Sequence, residues 1–105
     1  MNINIFKKHC SDGKILWTAH SLERERLQER DITVADVKHC IMSGEIIEEY
    51  PDDFPHPSAL IFGYDLSGKI LHVVCGTDEN FLYLITAYVP TTKKFLEDLR
   101  TRRQT

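Results

Sequence analysis

Five side chains in this sequence have the chemistry to move a proton beside a bound anion: His72, Thr86, Tyr88, Arg26 and Arg30. An imidazole titrates near pH ~6.5, so His72 is the natural proton carrier at neutral pH. The Tyr88 phenol can act as its partner or orient a phosphate, and Thr86 can hydrogen-bond to either. Arg26 and Arg30 lie one helical turn apart, which puts two planar guanidinium forks on the same helix face, suited to clamping phosphate oxygens. A histidine in a strand is by itself more often a structural residue, and arginines on an inward helix face often just pair with carboxylates. It is the joint placement that points to chemistry.

Such a site needs a hairpin to present the imidazole and phenol together. Ile70–Cys75 and Phe81–Val89 are apolar, rich in branched and aromatic residues, and separated by the turn-forming stretch Gly76-Thr77-Asp78-Glu79-Asn80. Pro90 stops the second strand by removing a ladder donor. Side chains alternate between faces. Leu71, Val73 and Cys75 therefore share one face, and His72 lies on the other with Ile70 and Val74. The loop is therefore expected to hold an odd number of residues, which lets Thr86 and Tyr88 join His72; a slip of one residue sets Ile85 and Ala87 beside it instead.

The arginines need a helix. Thr18 to Arg30 is built from Leu, Glu, Arg and Gln without Gly or Pro, and reads as helix one. Its apolar stripe is Ala19, Leu22 and Leu27, with Arg26 and Arg30 in the same sector. Thr33-Val34-Ala35-Asp36 resembles a capping box, opening a second helix that buries Val34, Val37, Cys40 and Ile41 and ends at Gly44. Strands follow over Glu45–Tyr50 and Ser58–Tyr64, divided by a loop with three prolines, and Asp65–Gly68 forms a hairpin turn. After Pro90, Thr91 or Thr92 can cap a last helix through Lys94, Phe95, Leu96, Leu99 and Arg103, over about residues 91–103. The amino terminus, with Ile3 and Ile5 before a loop-like Ser11-Asp12-Gly13, reads as an edge strand or a loosely docked arm. The expected fold is α+β: two N-terminal helices, a four-stranded antiparallel meander and a C-terminal helix, with one sheet face partly open.

With 105 residues, 42% of them hydrophobic, the chain suits a single domain, 1–105. No apolar run is long enough for a membrane span and no signal peptide is recognisable, so a cytoplasmic protein is expected. Cys10, Cys40 and Cys75 lack framework spacing and read as reduced structural thiols. No paired Cys-x-x-Cys supports a metal site, no glycine-rich loop suggests a nucleotide cofactor, and Glu48, Glu49, Asp52 and Asp53 read as a solvated acidic stretch. The net charge of −3 argues against a generally basic nucleic-acid binder. Positive charge is nevertheless concentrated at Arg24, Arg26 and Arg30 and at Lys93, Lys94, Arg100, Arg102 and Arg103, which can build a local anion-binding groove.

Five ordered blocks carry a family resemblance: Trp17–His20, Glu25–Ile32, Gly44–Asp53, Leu71–Val74 and Ile85–Pro90. Together they resemble the bacterial domain of unknown function 4258 over about residues 17–90. The resemblance implies a fold like that of barnase and the RelE-type ribonuclease toxins. It also implies a toxin of a toxin–antitoxin pair that cuts RNA without a metal and is neutralised by an antitoxin protein. Arg26, Arg30, His72, Thr86 and Tyr88 fall on the family's positions, while the helix histidine usual in the family is displaced here, Leu22 occupying its place and His20 standing two residues earlier. Catalysis is thus expected from His72, Tyr88, Arg26, Arg30, Thr86 and His20, and RNA binding from Arg26, Arg30, Lys93 and Lys94. The rival expectation is a non-catalytic interaction domain in which Arg26, Arg30 and His72 form a structural network.

Overall fold

Helix α1, Ile3–Ser11, opens the chain, where a strand or arm is expected from sequence. Asn2 caps it by accepting from the Asn4 amide at 2.9 Å, which satisfies one of the donors that every helix start leaves bare. The alternation of Ile3 and Ile5 is too short to define a strand. Ile3, Phe6 and Cys10 instead follow helical spacing, with Phe6 and Cys10 buried and Ile3 packed against the core while Ile5 faces out. The helix closes on Gly13 at φ 71°, with the Lys14 amide bonded to the His9 carbonyl and the Gly13 amide to that of Cys10. These are the paired bonds of a glycine-terminated helix end.

The structure is a computed structural model that describes residues 1–17 and 27–104. Most of the helix expected over Thr18–Arg30, with His20 and Arg26, lies outside the described residues. Residues 27–29 are helical, Leu27 is buried, and Asp31 at φ 56° ends the turn that carries Arg30.

Helix α2, Val34–Ser43, begins with the expected reciprocal cap: the Asp36 amide donates to Thr33 Oγ1 and the Thr33 amide to Asp36 Oδ2, both at 3.0 Å. It buries Val37, Cys40 and Ile41, whereas Val34, expected inside, is exposed at the first turn. Gly44 ends the helix because of space: a Cβ there would fall 2.5 Å from the Cys40 carbonyl oxygen.

The meander of β2 (Glu45–Tyr50), β3 (Ser58–Tyr64), β4 (Ile70–Thr77) and β5 (Leu82–Tyr88) is antiparallel throughout, as expected. A fifth strand, β1 (Ile15–Trp17), adds parallel to β5, so the sheet is mixed, with order β1-β5-β4-β3-β2. Three residues carry no periodic signal, which is why β1 is not recognisable before it docks. Helices α1 and α2 pack on one face, where Phe6, Cys40, Ile41, Ile61, Leu71, Val73, Leu82 and Leu84 form much of the core.

The β4–β5 hairpin reaches the expected facing by a different route. Its last pair is Thr77 with Leu82, so the loop holds four residues, an even number. A one-residue shift between Val74 and Cys75 leaves Ile85 unopposed. This bulge lets Leu82 and Leu84 share the core face with Ala87, then returns Thr86 and Tyr88 to the side of His72. Parity is reset within the strand rather than in the turn.

Residues 91–104 do not form the expected helix. They cross the outer sheet face as an irregular strap, closed by a bridge between Phe95 and Arg102. Asp98 competes with the helix by accepting from the Arg100 and Thr101 amides, and Leu99 takes φ 57°, incompatible with a helical turn. Of the apolar side chains expected on one helix face, only Phe95 is fully buried.

Candidate functional site

The outer face of the sheet is read from its register. His72 stands opposite Tyr88 and Phe62, and Val74 stands opposite Thr86. Phe95 from the strap stands edge-on to the imidazole at 4.7 Å, with Tyr88 at 5.3 Å and Phe62 at 5.9 Å. His72 is therefore fully buried, which corrects the expectation of an imidazole open to water. Its Nε2 lies 2.7 Å from the Leu99 carbonyl oxygen, a group that can only accept, so Nε2 carries the proton. Tyr88 Oη is 3.3 Å from Nδ1.

Burial lowers the His72 pKa below its ordinary value, partly offset by the Leu99 bond and the negative charge of Glu48. The unfolded chain then binds more protons at this residue than the folded one as pH falls through about 6.5. Stability contributed by neutral His72 is present above that pH and is lost below it, down to the depressed folded value. Thermal unfolding between about pH 7.5 and 5 should show a falling Tm, and His72→Gln should flatten that slope. An unchanged slope in the variant would assign the acid sensitivity to other groups.

Beside this pair lies an open cleft of about 540 Å³ between β5 and the strap. Thr86 and Tyr88 contribute its floor, and Arg30, Lys94 and Arg102 its cations. Arg30 Nη1 donates to the Ala87 carbonyl at 2.8 Å, which fixes the guanidinium at the sheet margin. Arg102 grips Glu48 with two bonds of 3.1 Å and lies 4.8 Å over the Phe95 ring. Burial alone would raise the Glu48 carboxyl, but the bonds from Arg102 and Tyr50 prevail and hold it below the usual carboxylate range. Burial pushes the Tyr88 phenol up, with Arg102 opposing, so at neutral pH it is a protonated hydroxyl.

Of the residues singled out from sequence, Arg30, Thr86, Tyr88 and Lys94 therefore line one cleft. His72 lies behind Tyr88, and Lys93 is exposed outside the lining. His20 and Arg26 are outside the described residues. Arg102 is expected from sequence only as one of a cluster of cations able to build an anion-binding groove, and Phe95, Glu48 and the Leu99 carbonyl escape sequence reasoning as site components. Their only signal is charge or hydrophobicity in segments remote from the hairpin.

Among the described residues no cluster of three or more His, Cys, Asp or Glu side chains could hold a metal ion, and no helix is long and apolar enough to cross a membrane. Cys10, Cys40 and Cys75 are free and buried. An α+β domain with a mixed five-stranded sheet, carrying a cationic cleft at one margin, is the class that these features define. The family described as a domain of unknown function, DUF4258, matches residues 17–89, and the chain belongs to it. No curated protein and no solved structure matches the chain.

Proposed function

We propose that this protein is a metal-independent endoribonuclease-like toxin of a bacterial toxin–antitoxin pair, acting on RNA in the cytoplasm and neutralised by a partner protein, with a fold related to the RelE and barnase type. The observation that carries the reading is the convergence of Arg30, Thr86, Tyr88, Lys94 and Arg102 on one open cleft in a chain of net negative charge. Arg30 and Lys94 beside a hydroxyl, with Arg102 held alongside on Glu48, suit a phosphodiester.

In this mechanism Arg30, Lys94 and Arg102 hold the phosphate and stabilise the charge on the phosphorane. The Tyr88 oxygen takes the proton of the ribose 2′-hydroxyl as its own proton passes to Nδ1 of His72. The 2′-oxygen then forms its bond to phosphorus and the 5′-oxygen departs, taking a proton from water. Products are a 2′,3′-cyclic phosphate and a 5′-hydroxyl; the imidazolium returns its proton to the Tyr88 oxygen, which passes its own to the hydroxide left in the cleft by the water that protonated the 5′-oxygen. Thr86 hydrogen-bonds a phosphate oxygen.

The burial of His72 favours a second reading, a non-catalytic interaction domain whose His–Tyr pair is structural. Incubating the purified protein with RNA in excess chelator separates the two: cyclic-phosphate ends support the nuclease, and intact RNA beside tight binding of a neighbouring gene product supports the module. On the nuclease reading phosphate contacts are measurable as counterion release. Arg30→Gln and Lys94→Gln should each weaken RNA binding and reduce the slope of log K against log salt by about 0.7. Slopes equal to wild type would remove the cleft as the RNA site.

A further inference from the structure

Leu99 is the one described non-glycine residue besides Asp31 with positive φ, and its carbonyl is the group bonded to the buried imidazole. We propose that the turn at Asp98–Thr101 is a positioning device, holding the Leu99 carbonyl against His72 Nε2 so that Nδ1 remains the acceptor facing Tyr88. Its catalytic consequence rests on the proton-transfer reading of Tyr88 and His72 given above; its structural content does not.

The left-handed conformation is disfavoured for a residue with a β-carbon, so something local must hold it. Asp98 supplies that hold. Its Oδ1 accepts from the Arg100 and Thr101 amides at 2.9 and 3.0 Å, and its Oδ2 accepts from Thr101 Oγ1 at 2.8 Å. The Leu99 amide closes the turn on the Leu96 carbonyl at 2.8 Å. Further out, Arg102 is tied to Glu48, and Arg100 pairs with Glu45 while lying 4.4 Å over the Phe62 ring. Strain concentrated at a residue whose carbonyl meets a candidate reactive group is the pattern of a functional constraint.

The ring has no equivalent second orientation. Turning it over would set carbon atoms against both the Leu99 carbonyl and the Tyr88 hydroxyl, forfeiting both contacts inside an aromatic cage. A neutral imidazole protonated at Nε2 must present a lone pair at Nδ1. That is the state required for His72 to receive the phenolic proton. Arg30 and Lys94 take no part in the turn, so loosening it should leave their contacts with phosphate in place, while Arg102, the residue after the turn, moves with it.

Long-range proton–nitrogen correlation spectra of labelled full-length protein, recorded above the ordinary histidine pKa, report which ring nitrogen bears the proton. The wild type should show His72 as a single Nε2-protonated tautomer. Leu99→Pro cannot adopt the required φ and loses the amide bond to Leu96, so it should give a tautomer mixture and a lower kcat. Asp98→Ala, on the exposed turn, gives the same reading should the proline variant fail to fold, and Asp98→Asn, which keeps an accepting oxygen, should restore the wild-type spectrum. A wild-type His72 protonated at Nδ1, or a folded Leu99→Pro or Asp98→Ala protein with an unaltered His72 signature, would overturn the proposal. Absence of RNA cleavage by a wild type that shows the expected tautomer overturns the nuclease reading and leaves the positioning device standing.

Discussion

Tyr88→Phe should slow RNA cleavage by about 10²–10⁴-fold, the range that a positioned proton-transfer group supplies. The substitution keeps the ring that packs 5.3 Å from His72 and removes only the oxygen that lies 3.3 Å from Nδ1 and borders the cleft. The substitution also leaves the buried Nδ1 of His72 without its donor, which should cost about 1–3 kcal/mol and lower Tm measurably, so cleavage is compared below the variant's own unfolding transition. RNA affinity should hold, because Arg30, Lys94 and Arg102 are untouched. His72→Ala is less informative, since it also empties a buried site. Single-turnover cleavage in excess chelator, with binding and thermal unfolding measured on the same samples, checks this; cleavage at the wild-type rate would remove the phenol from the mechanism.

Phe95→Ala should destabilise the protein by about 3–5 kcal/mol, the cost of truncating a buried aromatic. Phe95 is 1% exposed, stands against His72 at 4.7 Å and supports the Arg102 guanidinium. Against a total stability of roughly 5–15 kcal/mol this is a large share, readable as a lowered denaturation midpoint at constant m-value. Leu96→Ala provides the contrast. Leu96 is 41% exposed, and its loss should stay within about ±0.5 kcal/mol. Similar losses at both positions would favour a helix with a shared buried face; a large loss at Phe95 alone is the mark of the strap. Water reaching the uncovered imidazole should also move the His72 titration back toward its ordinary value.

The burial of His72 and the openness of the cleft are two parts of one arrangement. The strap seals the imidazole between Phe62 and Phe95, while the face of Tyr88 turned away from it borders solvent with three cations. A group sealed in this way cannot meet RNA, so any role in proton transfer runs through the phenol. This changes the assignment expected from sequence, where His72 is the natural proton carrier and Tyr88 its partner.

What the sequence alone determines here is local. The Thr33–Asp36 cap, the stop at Gly44, the turn at Asp65–Gly68 and the four-strand meander depend on neighbours a few positions apart, and each is where the residue pattern puts it. Helix α1 was legible in the spacing of Ile3, Phe6 and Cys10, though masked by a brief alternation. Other features depend on partners far along the chain: Ile15 beside Leu82, the Leu99 carbonyl 27 positions from His72, and Arg102 on Glu48 across 54. The residues after Pro90 have helix-like spacing, yet one buried Phe95 and the Asp98 turn outweigh that weak preference. The bulge at Ile85 likewise answers to the core's need for Leu82 and Leu84 rather than to any turn signal. Residue types thus nominated the His–Tyr pair and the cations, while the bulge at Ile85, not the loop parity expected, set the pair on one face. Only tertiary contact decided that the imidazole would be enclosed and the phenol left at the cleft, because enclosure is a property of what packs over a face and no local pattern encodes it.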